Sequence, residues 1–388
     1  MTERPIRITI ATENMFGGTG VHTAALADFL AAGGDQVRVV MAPDELDNPT
    51  GVLVLPKDPR VEVVGPIRGD SGVQRQQMVA AVRAGRPQVV FHGKGAPTEG
   101  GFRADVALRL AAPLVVFEHD APPTAAHRLG WNGWRPSAGL YQRVPRWLNG
   151  WRHHLASRVV TNSSSTQAKQ QQFYGGSVDE VVPLGIDLKR FTASGREERA
   201  PGGPITIGLV GRPDIFMKGL DLAFDAIAEL ARRGGPRVVW LFPIGAKHRP
   251  AIERLLAESG AASLVELIEP PADADLPALY RRLDALLVAS RFEGGPYTML
   301  EAMACGTPVL ATPVGLVPDV IADGVNGIRI AATDSVPALV EGLERFLALS
   351  PADRAAMGSS AREIIVRNHD AEQHFARLRA ILHEVAGR

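Results

Sequence analysis

The sequence predicts an α/β protein of two doubly wound domains, each a parallel sheet covered by helices, facing each other across a cleft. Three observations carry that expectation. The chain has 388 residues, too many for one ordinary core when a domain takes roughly 100–200. Short β-branched runs alternate with longer helical patterns, the mark of repeated βαβ units. Midway the alternation stops at Thr192–Pro204, TASGREERAPGGP, a stretch with the Gly, Pro and charge content of a linker.

Before the linker the predicted strands are Ile6–Ala11, Gln36–Met41, Val61–Val64, Gln88–Phe91, Leu114–Phe117, Arg158–Thr161 and Val181–Val182. Several are almost wholly apolar, as strands buried on both faces should be. After the linker the series resumes with Ile205–Val210, Arg237–Leu241, Leu264–Ile268, Ala285–Val288, Pro308–Ala311 and Gly327–Ile330, separated by helices such as Leu220–Arg232. From Pro351 onward the chain reads as helix, with Gly358-Ser359-Ser360 as its expected break. The expected divisions are 1–192, 203–365 and a C-terminal helical segment at 366–388. In such sheets ligands bind beyond the carboxyl ends of the strands.

Composition excludes several classes. Hydrophobic residues make up 45% and charged residues 22%, which is a globular balance and not that of a disordered or collagen-like chain. The 42 basic and 42 acidic residues cancel, which argues against a globally basic nucleic-acid binder. Cys305 is the single cysteine, so neither an internal disulfide nor a CxxC metal site is available and a reducing compartment is expected. The opening MTERPIRITIATENMF lacks an apolar signal-like core, and no run approaches the roughly 18 apolar residues of a membrane span. A cytoplasmic location is expected.

Four segments at strand exits bear chemistry. After the first strand, Gly17-Gly18-Thr19-Gly20 precede a helix expected to begin near Val21. Glycines there let the backbone approach a phosphate at a helix N-terminus, or simply make a tight turn. The dinucleotide fingerprint GxGxxG is broken, because Thr23 occupies its third glycine position. After Ile205–Val210 come Gly211, Arg212 and then Lys218-Gly219, two cations suited to a diphosphate or to solvent. His119 and Asp120 follow Leu114–Phe117, and His92 follows Gln88–Phe91; a histidine so placed orients a sugar hydroxyl or is a satisfied structural group.

The most informative stretch is Ser290–Val309, SRFEGGPYTMLEAMACGTPV. Glu293 follows a strand, Gly294-Gly295 turn the chain, and Pro296 is expected at the first helical position, where its missing N–H costs nothing. The amides of Tyr297 and Thr298 would then be free for phosphate oxygens. Glu301, further along that helix, has the oxygens to accept from both hydroxyls of a ribose, as Glu293 has for a sugar.

This stretch, continued as SRFEGGPYTMLEAMACGTPVLAT, resembles the signature of the retaining glycosyltransferases of family four: Glu, seven residues, Glu, then A-M-A-x-G-x-P-V. GGTGVHTAALADFL is similar to that family's N-terminal glycine loop and VVFEHD to its strand ending in His-Asp. RVVTNSSSTQ resembles the strand closing the first domain and VVPLGIDLKRF the hinge. GRPDIFMKG and ADGVNGIRI complete the order. Three departures are Leu184 in place of a frequent Asn, Leu316 in place of a second glycine, and Asp319 in place of Glu.

The resemblance implies the GT-B fold, two Rossmann-like domains with a C-terminal helix crossing back onto the first. It implies that Glu301 holds the ribose and that Arg212 and Lys218 hold the diphosphate. Glu293 and the backbone at Gly294, Gly295 and Tyr297 would grip the sugar, with Thr298 at the helix start. His119 would contact the sugar from the first domain, and Gly17 and Gly18 would approach the phosphates. The expected reaction moves a hexose-type sugar from a UDP- or GDP-sugar to an acceptor hydroxyl with retention. The leaving phosphate oxygen would assist the acceptor, so no metal and no other cofactor is expected. Asp273-Ala274-Asp275 matches a metal-binding DxD but precedes a helix, where an N-cap is the expected role. A nucleotide-sugar 2-epimerase and a non-catalytic nucleotide-sugar-binding module remain alternatives, whereas the broken fingerprint disfavours a nicotinamide dehydrogenase.

The acceptor side is marked by charge alone. Between Ala121 and Val178 there is no Asp or Glu, but six Arg and Lys169. Trp131, Trp134, Trp147 and Trp151 are interleaved there with Arg128, Arg135, Arg143, Arg146 and Arg152. Aromatic faces stack on sugars and arginines bind phosphates. Trp131, Trp134, Arg135 and Arg143 are therefore candidates for an anionic acceptor or for peripheral docking at an acidic inner-membrane surface. Alternatively, Trp147 and Trp151, four apart, are buried on one helix face with the arginines in solvent.

Overall fold

The computed structural model describes residues 4–12, 15, 17–42, 53–68, 71–94, 108–119, 155–174, 177–195 and 203–387. The chain forms two compact units, Met1–Leu184 with Glu372–Arg388 and Gly185–Ala371.

In the first unit the strands are β1 (Arg7–Thr12), β2 (Gln36–Met41), β3 (Glu62–Val64), β4 (Val89–Lys94), β5 (Leu114–Glu118), β6 (Arg158–Thr161) and β7 (Glu180–Val181). They form one sheet in the order β3-β2-β1-β4-β5-β6-β7, parallel throughout. The C-terminal helix, Ala371–Ala386, belongs to this unit by way of Phe375, Leu378, Ile381, Leu382 and Val385, all buried at helical spacing. Polar contacts fix its register. Arg379 and His383 reach the buried carboxylate of Asp35 at 2.7 and 3.0 Å, and Asp35 also accepts from the Ile6 amide at 3.1 Å.

The second unit holds β8 (Ile205–Gly208), β9 (Val238–Pro243), β10 (Val265–Ile268), β11 (Ala285–Val288), β12 (Val309–Ala311) and β13 (Gly327–Arg329). Their order is β10-β9-β8-β11-β12-β13, again parallel throughout. Helices Leu220–Arg232 and Val336–Leu347 pack into its core through Leu220, Phe224, Ile227, Leu339, Leu343 and Phe346. Ser335 starts the second of these by accepting from the Ala338 amide at 3.3 Å. Among the described residues no helix is long and apolar enough to cross a membrane.

The predicted strands are all present, with ends moved by three residues at most. Two helical expectations need correction. The first helix begins at Gly17, not near Val21. A Cβ on Gly20 would lie 2.3 Å from the Met15 carbonyl carbon, so this glycine allows the helix start to press against the chain leaving β1. Nor is Gly358-Ser359-Ser360 a break. Helix Pro351–Asn368 runs through it, and the interruption falls at His369-Asp370. A Cβ on Gly358 would sit 2.3 Å from the Gly306 carbonyl oxygen, which makes this glycine a point of close helix-to-turn contact.

Gly358→Ala separates the two roles. Helix propensity alone would raise stability by about 1 kcal/mol, whereas the backbone clash should lower it by about 2 kcal/mol net. Thermal unfolding is expected to show a reduced midpoint; a raised one would contradict the close-contact account.

Candidate active site

In the second sheet the chain runs outward from β8 towards β10 on one side and from β11 towards β13 on the other. Adjacent loops leaving β8 and β11 therefore diverge, and such a reversal of strand order opens a crevice for ligands. Arg212 and Lys218 lie on the first of these loops and Glu293–Pro296 on the second, which leads into the helix that carries Thr298. Gly211, Arg212, Lys218, Ser290, Glu293 and Thr298 line one open-sided pocket, with Leu209, Phe242 and Leu287 at its apolar wall.

Two glycines and one arginine hold the loops together. Gly219 has φ +60° and a Cβ there would meet the Ala289 carbonyl oxygen at 2.2 Å; Gly315 has φ +49° and would meet the Gly294 carbonyl oxygen at 2.2 Å. Neither position accepts a side chain. Arg291 is 7% exposed. Its guanidinium makes a fork with Asp221 at 2.7 Å twice, donates to Asp334 at 2.6 Å and to the Phe216 carbonyl at 3.0 Å, and stacks 4.5 Å above the Phe216 ring. Its backbone amide donates to the Met217 carbonyl at 2.9 Å. The loop carrying Lys218 is thus fastened to the loop carrying Glu293. Sequence reasoning passed over Arg291, although its place two residues before Glu293 in an apolar strand exit was a signal that a buried charge needed partners.

Within the pocket the side chains of Lys218 and Glu293 form an ion pair, 19% and 12% exposed respectively. Ser290 donates to the same Glu293 oxygen at 3.0 Å. Among the described residues Arg212 has no ion-pair partner, so its charge is available to an anion. Pro296 stands at the N-cap of helix Tyr297–Ala304, one residue earlier than expected. The first helical amides are then those of Tyr297 and Thr298, which have no acceptor within the helix. Gly294 and Gly295 make the turn before it.

Glu301 is not part of the pocket wall; its carboxylate accepts from the Tyr280 hydroxyl at 2.5 Å. Tyr280 is fully buried. Burial, and then the Glu301 charge, hold its phenol well above the usual value, so it stays a proton donor to the acid. Tyr297 is raised for the same two reasons, and its buried hydroxyl lacks a hydrogen-bond partner among the described residues.

Residues 192–364 match the family description "Glycosyl transferases group 1", and residues 16–190 match "Glycosyltransferase Family 4". The chain belongs to this glycosyltransferase family. A D-inositol 3-phosphate glycosyltransferase from Nocardia farcinica is 33% identical over 189 residues, 45% of this chain and 42% of that one. The matched region spans about half the length of the curated relatives. Among solved structures, sucrose-phosphate synthase from Thermosynechococcus elongatus superposes with a TM-score of 0.77 at 18% identity, covering 98% of this chain and 99% of that one. HepE from Anabaena, in complex with UDP and glucose, gives 0.71 at 18% identity, covering 98% and 100%. These likenesses show the fold, which is GT-B.

In the first unit, His119 follows β5 directly and is buried. Its ring lies 4.7 Å from those of both His22 and Phe117, and its backbone carbonyl accepts from Asn162 at 2.7 Å. His22, from the first helix, faces His374 of the C-terminal helix with 2.7 Å between their Nε2 atoms. Burial, then the neighbouring His374, pushes the His119 imidazole down to about 3. His22 is held well below its usual range by burial and then by His119 and His374. His119 is therefore neutral at ordinary pH and able to offer a hydrogen bond but not a charge. His92 lies within β4 and is also buried.

Gly17 and Gly18 occupy the first turn of helix Gly17–Ala32 and not a separate loop. Asp275 does stand at the N-cap of helix Leu276–Arg281, but its side chain makes no capping hydrogen bond, so that part of the N-cap expectation is wrong. Asp120, Trp131, Trp134, Arg135, Arg143, Trp147 and Trp151 lie outside the described residues, as do Arg128, Arg146 and Arg152.

Two measurements test this architecture. Arg291→Met strands Asp221 and Asp334, and because both carboxylates reach solvent the expected loss is about 2 kcal/mol, read as a lower denaturant midpoint; an unchanged midpoint would remove Arg291 from its fastening role. His22 and His119 bind protons more weakly folded than unfolded, so stability is full above the unfolded value of about 6.5 and falls below it, by up to about 1.4 kcal/mol per pH unit for each group. Thermal unfolding between pH 6.5 and 4 should show a shallower pH slope in His119→Phe than in the natural chain.

Proposed function

We propose that this chain transfers a sugar from a nucleoside diphosphate sugar to an acceptor hydroxyl, with retention at the anomeric carbon. The observation that carries the reading is a pocket at the reversal point of the second sheet, which gathers Arg212, Lys218, Glu293 and the Thr298 helix start. A diphosphate leaving group develops negative charge, and a fork, a point cation and free helix amides are the groups that stabilise it. Glu293 accepts hydroxyls of the sugar, and Glu301, aimed by Tyr280, accepts those of the ribose. The bond from the anomeric carbon to the phosphate oxygen breaks as the acceptor oxygen bonds on the same face. The acceptor proton passes to the departing phosphate oxygen. Charge neutralisation comes from the protein's own cations, without a metal.

The curated relative's name includes a phosphorylated polyol, and an acceptor of that kind suits the acid-free, arginine-rich segment Ala121–Val178. The HepE complex holds UDP and glucose, which favours a UDP-sugar as the first donor to try.

A thermal-shift screen with UDP- and GDP-sugars would identify the donor. With it, Glu301→Ala should weaken nucleotide binding about tenfold, whereas Arg212→Ala or Lys218→Ala should lower kcat by about 100-fold. Unchanged turnover in both cation variants would defeat the diphosphate assignment.

A further inference from the structure

Lys218 and Glu293, the cation and the acid proposed for the diphosphate and the sugar, are bonded to each other, and both are largely shielded from solvent. Ser290 donates to the shared Glu293 oxygen at 3.0 Å. Gly315, packed under the Gly294 carbonyl, and the Arg291 fork fix the two loops that bring the pair together. A shielded pair of this kind is lost only to a competitor that supplies new partners to both ends, since a single stranded charge is costly.

We propose that Glu293 competes with phosphate for Lys218 and thereby makes the site discriminate a nucleotide sugar from the bare nucleoside diphosphate. This rests on the donor-site reading above. A bare diphosphate offers oxygens to Lys218 but has no hydroxyl to give Glu293 in exchange. A nucleotide sugar offers both: phosphate oxygens accept from Lys218 while sugar hydroxyls donate to Glu293 in its place. Only the fraction of sites with Lys218 released counts towards binding of the bare form, which lowers its apparent affinity by that fraction. After transfer the sugar hydroxyls depart, Glu293 recovers Lys218, and the spent diphosphate loses a ligand. The same contact that grips the sugar then hastens release of the product.

Calorimetric titration of the full chain with UDP and UDP-glucose, and with GDP and GDP-mannose, tests this. Glu293→Gln is expected to bind the bare diphosphate about tenfold more tightly than the natural chain while binding the nucleotide sugar more weakly. Glu293→Ala should tighten the bare form likewise, and thermal unfolding of both variants checks that they are folded. In a Lys218→Met background the effect of Glu293→Gln on the bare form should fall below about threefold. Unchanged or weaker binding of bare diphosphate to both folded Glu293 variants would overturn the proposal, as would undiminished tightening in the Lys218→Met background, which would show plain charge repulsion. If the natural chain binds none of the four nucleotides, the donor reading fails and takes this one with it; the first two failures leave that reading in place.

Discussion

The arrangement of the second unit's pocket depends on the Arg291 guanidinium. A cation with 7% exposure is tolerable only when its donors are satisfied, and the acceptors come from the segment at Phe216, the helix start at Asp221 and the turn at Asp334. A planar fork fixes direction as well as distance, so these segments cannot drift independently. Lys218 stands between the residue that binds the Arg291 amide and the glycine that presses on Ala289, while Glu293 lies two positions beyond Arg291 itself. The meeting of this lysine and this glutamate is therefore a consequence of a charge that takes no part in the proposed chemistry.

Where physical constraints act along the chain, the sequence was readable. Parallel strands buried on both faces must be apolar runs, which is why all thirteen were located and why their exits pointed to Arg212, Lys218 and Glu293. Contacts between distant segments left weaker traces. Gly358 looked like a helix break because its neighbour Gly306 is 52 positions away in sequence and invisible to local propensity. Arg291 looked like a charged residue at a strand exit, with nothing nearby to announce Asp221 or Asp334. Tyr280 was equally silent: an aromatic in a short helix reads as core, and only the fold shows its hydroxyl turned to Glu301.

Within the balance of 42 positive and 42 negative side chains, several ion pairs have a structural task. Arg377 with Glu180, Arg379 with Asp35, and Arg345 with Asp323 each settle a helix on its own unit. The His22 and His119 rings instead settle by staying neutral, a solution open to imidazole and closed to guanidinium. Among the described residues Arg212 stands apart from both arrangements, which suits the proposed anion site at the sheet's reversal point.

The second unit is one uninterrupted stretch set between two pieces of the first, and the chain enters and leaves it at Ile186 and Asp370, which lie side by side as a parallel bridge. This has a consequence for synthesis. Asp35 emerges early and is destined for burial, yet the arginine that pairs with it follows 344 residues later, and His22 waits 352 residues for His374. Domains ordinarily fold in the order in which they leave the ribosome. Here the unit whose strands are translated first is closed only after the second unit has been made, and the nascent chain must carry an unclosed apolar flank until helix Ala371–Ala386 arrives.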